Sequence, residues 1–199
     1  MRQAQHRRKT RETEISVALD LDGTGEAAIG TGIGFLDHML EQIARHALVD
    51  LEVAARGDLH IDAHHTVEDV AITLGGALDR ALGDRAGIAR FGAAHVAMDE
   101  ALARVVLDIS GRPYLVWNAR LTQPRLGEID SELFEHFFRS LAFTAGLTLH
   151  VALLYGRNNH HIIEAIFKAF ARALREAAAP DPRRGGAVPS SKGRIGEKR

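Results

Sequence analysis

Cysteine is absent from this chain of 199 residues, so disulfides and thiolate metal sites are excluded and the redox compartment is left open. Long apolar runs are absent as well. No stretch approaches the roughly 18 residues of a membrane span, and none resembles a signal-peptide core. No membrane partner is expected, and a cytoplasmic location is. Charge of one sign is also lacking: 25 Lys and Arg oppose 26 Asp and Glu, a net charge of −1 that argues against a general nucleic-acid binder. The basic residues do gather at the ends, with Arg2, Arg7, Arg8, Lys9 and Arg11 opening the chain and Arg183, Arg184, Lys192, Arg194, Lys198 and Arg199 closing it. The length suits one domain, or two small half-domains sharing a core. Histidine is what the chain has in unusual number: it carries 11, and they are not scattered.

Residues 14–20 alternate apolar and polar side chains as a half-buried strand does, and the Asp22–Gly23 turn predicts a hairpin partner in residues 26–31. Apolar residues at Phe35, Leu36, Met39, Leu40, Ile43 and Ala47 have a helical period; residues 48–54 alternate again, and 67–82 return to the helical period. The second half plays a similar order, with strands over 93–98, 101–109 and 113–117, a helix over 133–141, a strand over 147–154 and a helix over 162–179. Pro180 and Pro182 end that helix, and the Gly-, Pro- and charge-rich residues that follow are expected to be mobile without a ligand. The organisation expected is a basic arm (1–9), two half-domains (10–92 and 93–180) and a C-terminal tail (181–199).

The halves share a chemical pattern. His38 lies in the first helix, and His64-His65-x-x-Glu68 opens the next; His136 lies in the corresponding helix, and His160-His161-x-x-Glu164 opens the one after it. The spacing from His38 to His64 is 26 residues and from His136 to His160 it is 24, so an internal duplication is the simplest explanation. On a helix, residues four apart share a face, while a neighbour is rotated by about 100°. His64 and Glu68 can therefore hold one ion together while His65 points elsewhere, and His160 and Glu164 can do the same while His161 turns away. Adding His38 and His136 supplies two sites of three imidazoles and one carboxylate, suited to a borderline divalent metal with open positions. Ligand type alone does not separate manganese from zinc, iron or nickel.

A lone His near a helix start is ordinarily a cap or a surface residue; the repetition in register is what points to metal. His60 and Asp62 read as residues that orient the ligands. His46 falls on the helical face of His38 and Gln42, where it either lines the site or packs, and His6, His95 and His150 read as structural. Arg90, Arg112, Lys168 and Lys192 stand outside evident i,i+4 ion-pair runs, and Lys168 shares a broad helix face with Glu164. Each of these cations alone reads as surface charge.

DHML (37–40), HHTVED (64–69), SGRPY (110–114), EHFF (135–138), GRNNHHIIEA (156–165) and VPSSKG (188–193) together resemble imidazoleglycerol-phosphate dehydratase, from RETEI near the start to SSKG near the end. The resemblance implies an α+β fold, an internally duplicated unit with helices packed between two sheets. It implies two Mn2+ per active site, one on His38, His65, His160 and Glu164 and the other on His64, Glu68, His136 and His161. Substrate contacts would fall on Glu12, Gln42, His46, Arg90, Arg112, Lys168, Ser190, Ser191 and Lys192, where arginine forks, a lysine and hydroxyls suit a phosphate. The chains would form trimers that combine into homo-oligomeric shells of 24 subunits, with active sites between subunits. Nothing in the resemblance gives a role to the first nine residues or to residues 194–199.

The family's reaction removes water from imidazole glycerol phosphate to give imidazole acetol phosphate, a step of histidine biosynthesis. Its difficulty is a weakly acidic C–H next to the ring, which a metal-stabilised imidazolate would relieve. Glu12 is the candidate for proton transfer, with Glu68 and Glu164 occupied as ligands. Two other classes use similar side chains: a dinuclear metallohydrolase, which relies on a bridging carboxylate or water, and a metal-dependent assembly or storage protein, which needs no phosphate contacts. Both His motifs in combination with SSKG and Arg112 favour the dehydratase.

Overall fold

Alternation in the sequence produces strands with one buried face. In β2 (Thr13–Asp20) Ile15, Val17 and Leu19 face inward, and in β6 (Ala101–Asp108) Ala103, Val105 and Leu107 do so. These belong to a computed structural model that describes residues 2–196; Met1 of the expected arm and residues 197–199 of the expected tail, with Lys198 and Arg199, lie outside the described residues. The other elements are β1 (Gln3–Lys9), β3 (Ala27–Gly30), α1 (Gly34–Ala47), β4 (Asp50–Gly57) and α2 (His64–Leu82) in the first half. The second half has β5 (Phe91–Met98), β7 (Tyr114–Asn118), a short ladder of β8 (Arg125–Leu126) and β9 (Ile129–Asp130), α3 (Glu132–Ala145), β10 (Thr148–Tyr155) and α4 (Asn159–Ala178).

The two halves repeat one topology. The first sheet has the order β1-β2-β4-β3 and the second β5-β6-β10-β7. In each the third strand of the half runs parallel to the strand that follows its first helix, β3 with β4 and β7 with β10. Among the described residues the β8–β9 ladder has no counterpart in the first half. Helices α2 and α1 pack on the first sheet, α4 and α3 on the second, and the helices meet across the middle as α1 on α4 and α2 on α3.

Two expectations are corrected. The basic arm is a strand: β1 pairs with β2 from Gln3↔Asp20 to Lys9↔Glu14, and Arg8 Nε lies 2.7 Å from the buried Asp69 carboxylate on α2. Period-2 alternation within a strongly basic segment is what conceals it. Residues 26–31 do not return as a hairpin either. Asp50 Oδ1 accepts the N–H groups of Thr24, Gly25 and Glu26 at 2.8, 3.0 and 2.9 Å, which carries the chain across to the far side of β4.

The tail has more fixed contacts than its composition predicts. Gly87 N–H donates to the Ala187 carbonyl at 3.0 Å, and Arg90 Nη1 donates to the Pro189 carbonyl at 2.7 Å. Gly196 packs so closely on Gly111 that a Cβ on Gly111 would collide with the Gly196 Cα.

The core is unevenly built. Phe134, Phe137 and Phe138 of α3 and Phe167 and Phe170 of α4 are fully buried, with Phe138 at 4.8 Å from Phe167 and 5.4 Å from Phe170 between ring centroids. The first half fills the same layer with Leu36, Met39, Leu40 and Leu78. On α2 a Cβ at Gly75 would come within 2.9 Å of the Leu141 carbonyl, so only glycine lets α2 and α3 approach this closely. Phe138→Ala is expected to cost about 3–5 kcal/mol of stability by opening a cavity among these rings. Denaturant unfolding of the metal-free protein would check it, and a loss under about 1 kcal/mol would mean that this cluster does not hold the half together.

Candidate metal centre

Each histidine motif is held by a side-chain acceptor at the start of its helix, the N-cap Asn158 for α4 and Asp62, one residue before the N-cap Ala63, for α2. Asp62 Oδ1 accepts the His64 N–H at 2.7 Å, and Asn158 Oδ1 accepts the N–H groups of His160 and His161 at 2.9 and 3.4 Å. These acceptors satisfy amide groups that a helix start leaves free, and they fix α2 and α4 with the paired histidines in the first turn. His38 and His136 are each the fifth residue of their helices, α1 and α3.

Where helices of opposite halves meet, two ligand groups form. At the α1–α4 contact, His38 Nε2 and His160 Nε2 lie 3.3 and 3.0 Å from Glu164 Oε2. At the α2–α3 contact, His136 Nε2 lies 3.1 Å from Glu68 Oε1, and the His64 and His136 rings are 4.8 Å apart between centroids. In each group the three donor atoms lie within 4.8 Å of one another. His136 Nε2 is buried and makes no hydrogen bond, because its approach to Glu68 lacks the alignment of one. Unprotonated nitrogen and carboxylate oxygen aimed at a common point suit a divalent cation better than they suit each other. The donor set therefore fits a borderline divalent ion.

His65 and His161 are not in these groups. Each turns off the ligand face as helical geometry requires, and each finds a carboxylate. His65 Nδ1 is 2.9 Å from Asp58 Oδ2 and 3.8 Å from Glu12 Oε2. His161 Nδ1 is 2.8 Å from Glu100 Oε2, and its Nε2 is 3.8 Å from Asp99 Oδ2. The fourth ligand that the resemblance gives each ion is thus not supplied to that ion within one chain.

The charges follow these contacts. The Asp58 hydrogen bond raises His65 above the ordinary imidazole value, and the Glu100 bond raises His161. Glu100 itself is lowered to about 2, first by His161 and then by the N–H groups of Asn158 and Arg157. Burial pushes Glu164 up, but the Lys168 ammonium, 2.7 Å away, together with His38 and His160 leaves it below the ordinary carboxylate value. Burial is also the main cause that lowers His46, followed by the charges of Lys168 and Arg172.

The remaining sequence candidates divide between two places. Gln42 Nε2 lies 3.5 Å from His38 Nδ1, which puts Gln42 beside the metal groups, as Lys168 is through Glu164. Lys168 does form an i,i+4 ion pair, contrary to its sequence reading. Arg90, at a φ of 78°, makes a bidentate pair with Asp108 at 2.7 and 3.0 Å. Its bond to Pro189 brings Ser190, Ser191 and Lys192 to the same end of the molecule, and the Gly111–Gly196 contact brings Arg112 near. Of the residues expected to orient the ligands, Asp62 accepts the His64 backbone N–H and His60 is exposed, while Asp58 and Glu100 hold the rings of His65 and His161. Asp58 is seven residues before His65, but Glu100 is 61 before His161, a distance that no local motif reveals.

Fold and site together define a class, a duplicated α+β protein with twin His–Glu metal groups. The family model described as imidazoleglycerol-phosphate dehydratase matches residues 31–174. The imidazoleglycerol-phosphate dehydratase of Cereibacter sphaeroides is 59% identical over 195 residues, covering 98% of this chain and 100% of that protein. The Zymomonas mobilis protein of the same name is 59% identical over 188 residues, covering 94% and 96%. Crystal structures of the dehydratases from Staphylococcus aureus and Pyrococcus furiosus both superpose with a TM-score of 0.82, at 42% and 36% identity. The first covers 90% of this chain and 99% of its own, the second 95% and 99%. The chain belongs to the imidazoleglycerol-phosphate dehydratase family.

Metal binding is expected to strengthen as pH rises. An imidazole must be neutral to bind a metal, and His65 and His161, raised by their carboxylates, keep their protons to higher pH than free imidazole. In the metal-free protein the same pairs stabilise the fold between the ordinary carboxylate value, about 4, and the ordinary imidazole value, about 6.5. They weaken as pH rises through the raised histidine values, or falls through the lowered carboxylate ones. Equilibrium dialysis with manganese between about pH 8 and about pH 5.5 would check the binding trend. Equal affinity throughout would rule out imidazole ligands.

Proposed function

We propose that this chain removes water from imidazole glycerol phosphate to give imidazole acetol phosphate in histidine biosynthesis, acting as a manganese-dependent hydro-lyase in the cytoplasm. The observation that carries this reading is the twin set of converging donors, His38, His160 and Glu164 beside His64, Glu68 and His136, in a chain of this family.

Two Mn2+ ions per active site would be held, the first with His65 and the second with His161 as further ligand. Such ions, when bound, would supply Lewis acidity that makes the substrate's imidazole and the neighbouring C–H easier to deprotonate. The chain's own residues do the rest. Glu12 is exposed, and its carboxylate, 3.8 Å from His65 Nδ1, is the group placed to move a proton beside the ligands. Gln42, His46 and Lys168 line the His38 side. Arg90, Arg112, Ser190, Ser191 and Lys192 anchor the phosphate.

Assembly is part of this reading. Arg90 precedes β5 and Glu100 follows it, so the strand's eight residues hold the two ends roughly 25 Å apart. The basic end and the histidine end of one chain are too far apart to grip one small substrate. The separation supports active sites shared between copies, with His65 of one chain completing the His38 group of another and His161 of that other chain completing the His64 group of the first. Trimers combining into shells of 24 subunits are the arrangement proposed.

Chelation is expected to abolish turnover and manganese to restore it, followed by ultraviolet detection of the enolised keto product. Full activity in verified metal-free protein would overturn the metal chemistry. Sharing between chains has its own test. A variant with His64→Ala and His65→Ala and one with His160→Ala and His161→Ala are each expected to be inactive. Refolded together in equal amounts, they would form about a quarter of sites with both contributed motifs intact, the first from one variant and the second from the other. Verified mixed assemblies without recovered activity would mean that each site is built within one chain.

A further inference from the structure

His65 and His161 are the two motif histidines outside the ligand groups, and both are held in the same way. Each has a carboxylate on Nδ1, Asp58 at 2.9 Å and Glu100 at 2.8 Å. A carboxylate accepts only, so Nδ1 carries the proton and Nε2 keeps its lone pair. The carboxylates come from places that the duplication does not relate. Asp58 follows β4 in the loop that leads into α2. Glu100 lies in the turn between β5 and β6, the position that Glu12 has between β1 and β2. The segment between β10 and α4, Gly156, Arg157 and Asn158, has no carboxylate to serve as a second Asp58.

We propose that Asp58 and Glu100 are positioning residues that fix the tautomer and ring direction of His65 and His161, so that each presents Nε2 to a metal ion. The proposal rests on the reading of those two histidines as ligands given above. It assigns unequal fates to the two hairpin carboxylates. His65 is held by Asp58, which leaves Glu12 at 3.8 Å free for proton transfer. The loop before α4 offers no carboxylate to His161 Nδ1, so Glu100 is committed to it, while the exposed Asp99 stands 3.8 Å from Nε2.

The two carboxylates differ in how tightly their own orientation is set. Glu100 Oε1 accepts the backbone N–H groups of Arg157 and Asn158 at 3.1 and 2.6 Å, and only Oε2 is left for His161. Asp58 Oδ1 is buried and, among the described residues, has no hydrogen-bond partner. In Glu100→Gln the amide oxygen must stay on the two backbone donors, which turns the NH2 toward His161. The ring can then only accept at Nδ1, and its proton moves to Nε2. In Asp58→Asn no donor competes for the oxygen, which remains free to face His65 Nδ1. Equivalent-looking substitutions are thus expected to have opposite effects on their rings.

The test uses full-length, metal-free protein with 15N-labelled histidine, read by magic-angle-spinning NMR, with His161 and His65 signals assigned by difference against His161→Gln and His65→Gln. Glu100→Gln is expected to switch the His161 tautomer, and Asp58→Asn to keep that of His65. In manganese titrations Glu100→Gln is expected to lower affinity at one of the two ions by about 10–100-fold, as loss of a ligand's orienting partner does. An unchanged His161 tautomer in Glu100→Gln would overturn the proposal, since a residue that only braced the loop is replaced without loss by glutamine. A switched tautomer with both ions bound at wild-type affinity would overturn the metal-directed role of His161. Failure of the wild-type protein to take up manganese would instead overturn the reading on which the proposal stands, together with the proposal.

Discussion

Contact between helices of opposite halves is the constraint on which the site depends. A His-x-x-x-Glu pair on one helix offers two donors on one face and no third, because the next turn carries the face away from the ion. The third donor comes from the helix packed against it: His38 of α1 joins the pair on α4, and His136 of α3 joins the pair on α2. Neither half could make either group alone. The contacts that hold these helices together are therefore also contacts that set ligand distances. Gly75 on α2 and the phenylalanine cluster of Phe137, Phe138 and Phe167 on α3 and α4 belong to the site in this sense. Burial of large apolar side chains supplies the rigidity that a few polar atoms need.

Electrostatics oppose that packing and are met locally. All four helices carry ligands near their N-termini, the end where the helix dipole favours an anion. Glu68 and Glu164 answer this by bringing negative charge, and Asp62 and Asn158 answer it by accepting the free N–H groups. Glu164 is the most buried member of the ligand groups at 6% exposed, and Lys168 neutralises it at 2.7 Å. A cation between His38, His160 and Glu164 would share that role with the ammonium. The lysine thus lies where it can hold the carboxylate ionised and still reach toward a bound anion.

A second division runs along β5. Its C-terminal end leads to Glu100 and His161, and its N-terminal end to Arg90, Asp108 and the docked tail. One chain therefore presents its histidine groups at one end and a cluster of basic residues at the other. The duplicated fold places both at sheet-and-helix ends, where loops leave side chains accessible.

Much of this was legible from the residues alone. Helical and alternating periods located four helices and most strands, since apolar burial has to follow the geometry of each element. The repeated His-His-x-x-Glu motif, with His38 and His136 in register, named all six side chains of the two groups. The 3.6-residue period also separated His65 and His161 from them. Where local pattern misled, a long-range partner had decided. The basic Gln3–Lys9 became a strand by pairing along β2, with Arg8 reaching Asp69 across the fold, and residues 26–31 left the hairpin where Asp50 gathers the amides of Thr24, Gly25 and Glu26. Sequence spacing determined which residues share a helix face, because that depends only on the helical repeat. Only the tertiary structure decided which faces meet, that Glu100 reaches His161 over 61 residues, and that Arg90 and His161 stand at opposite ends of one strand. Those relations come from how the two sheets and four helices close around a shared core, and no local period encodes them.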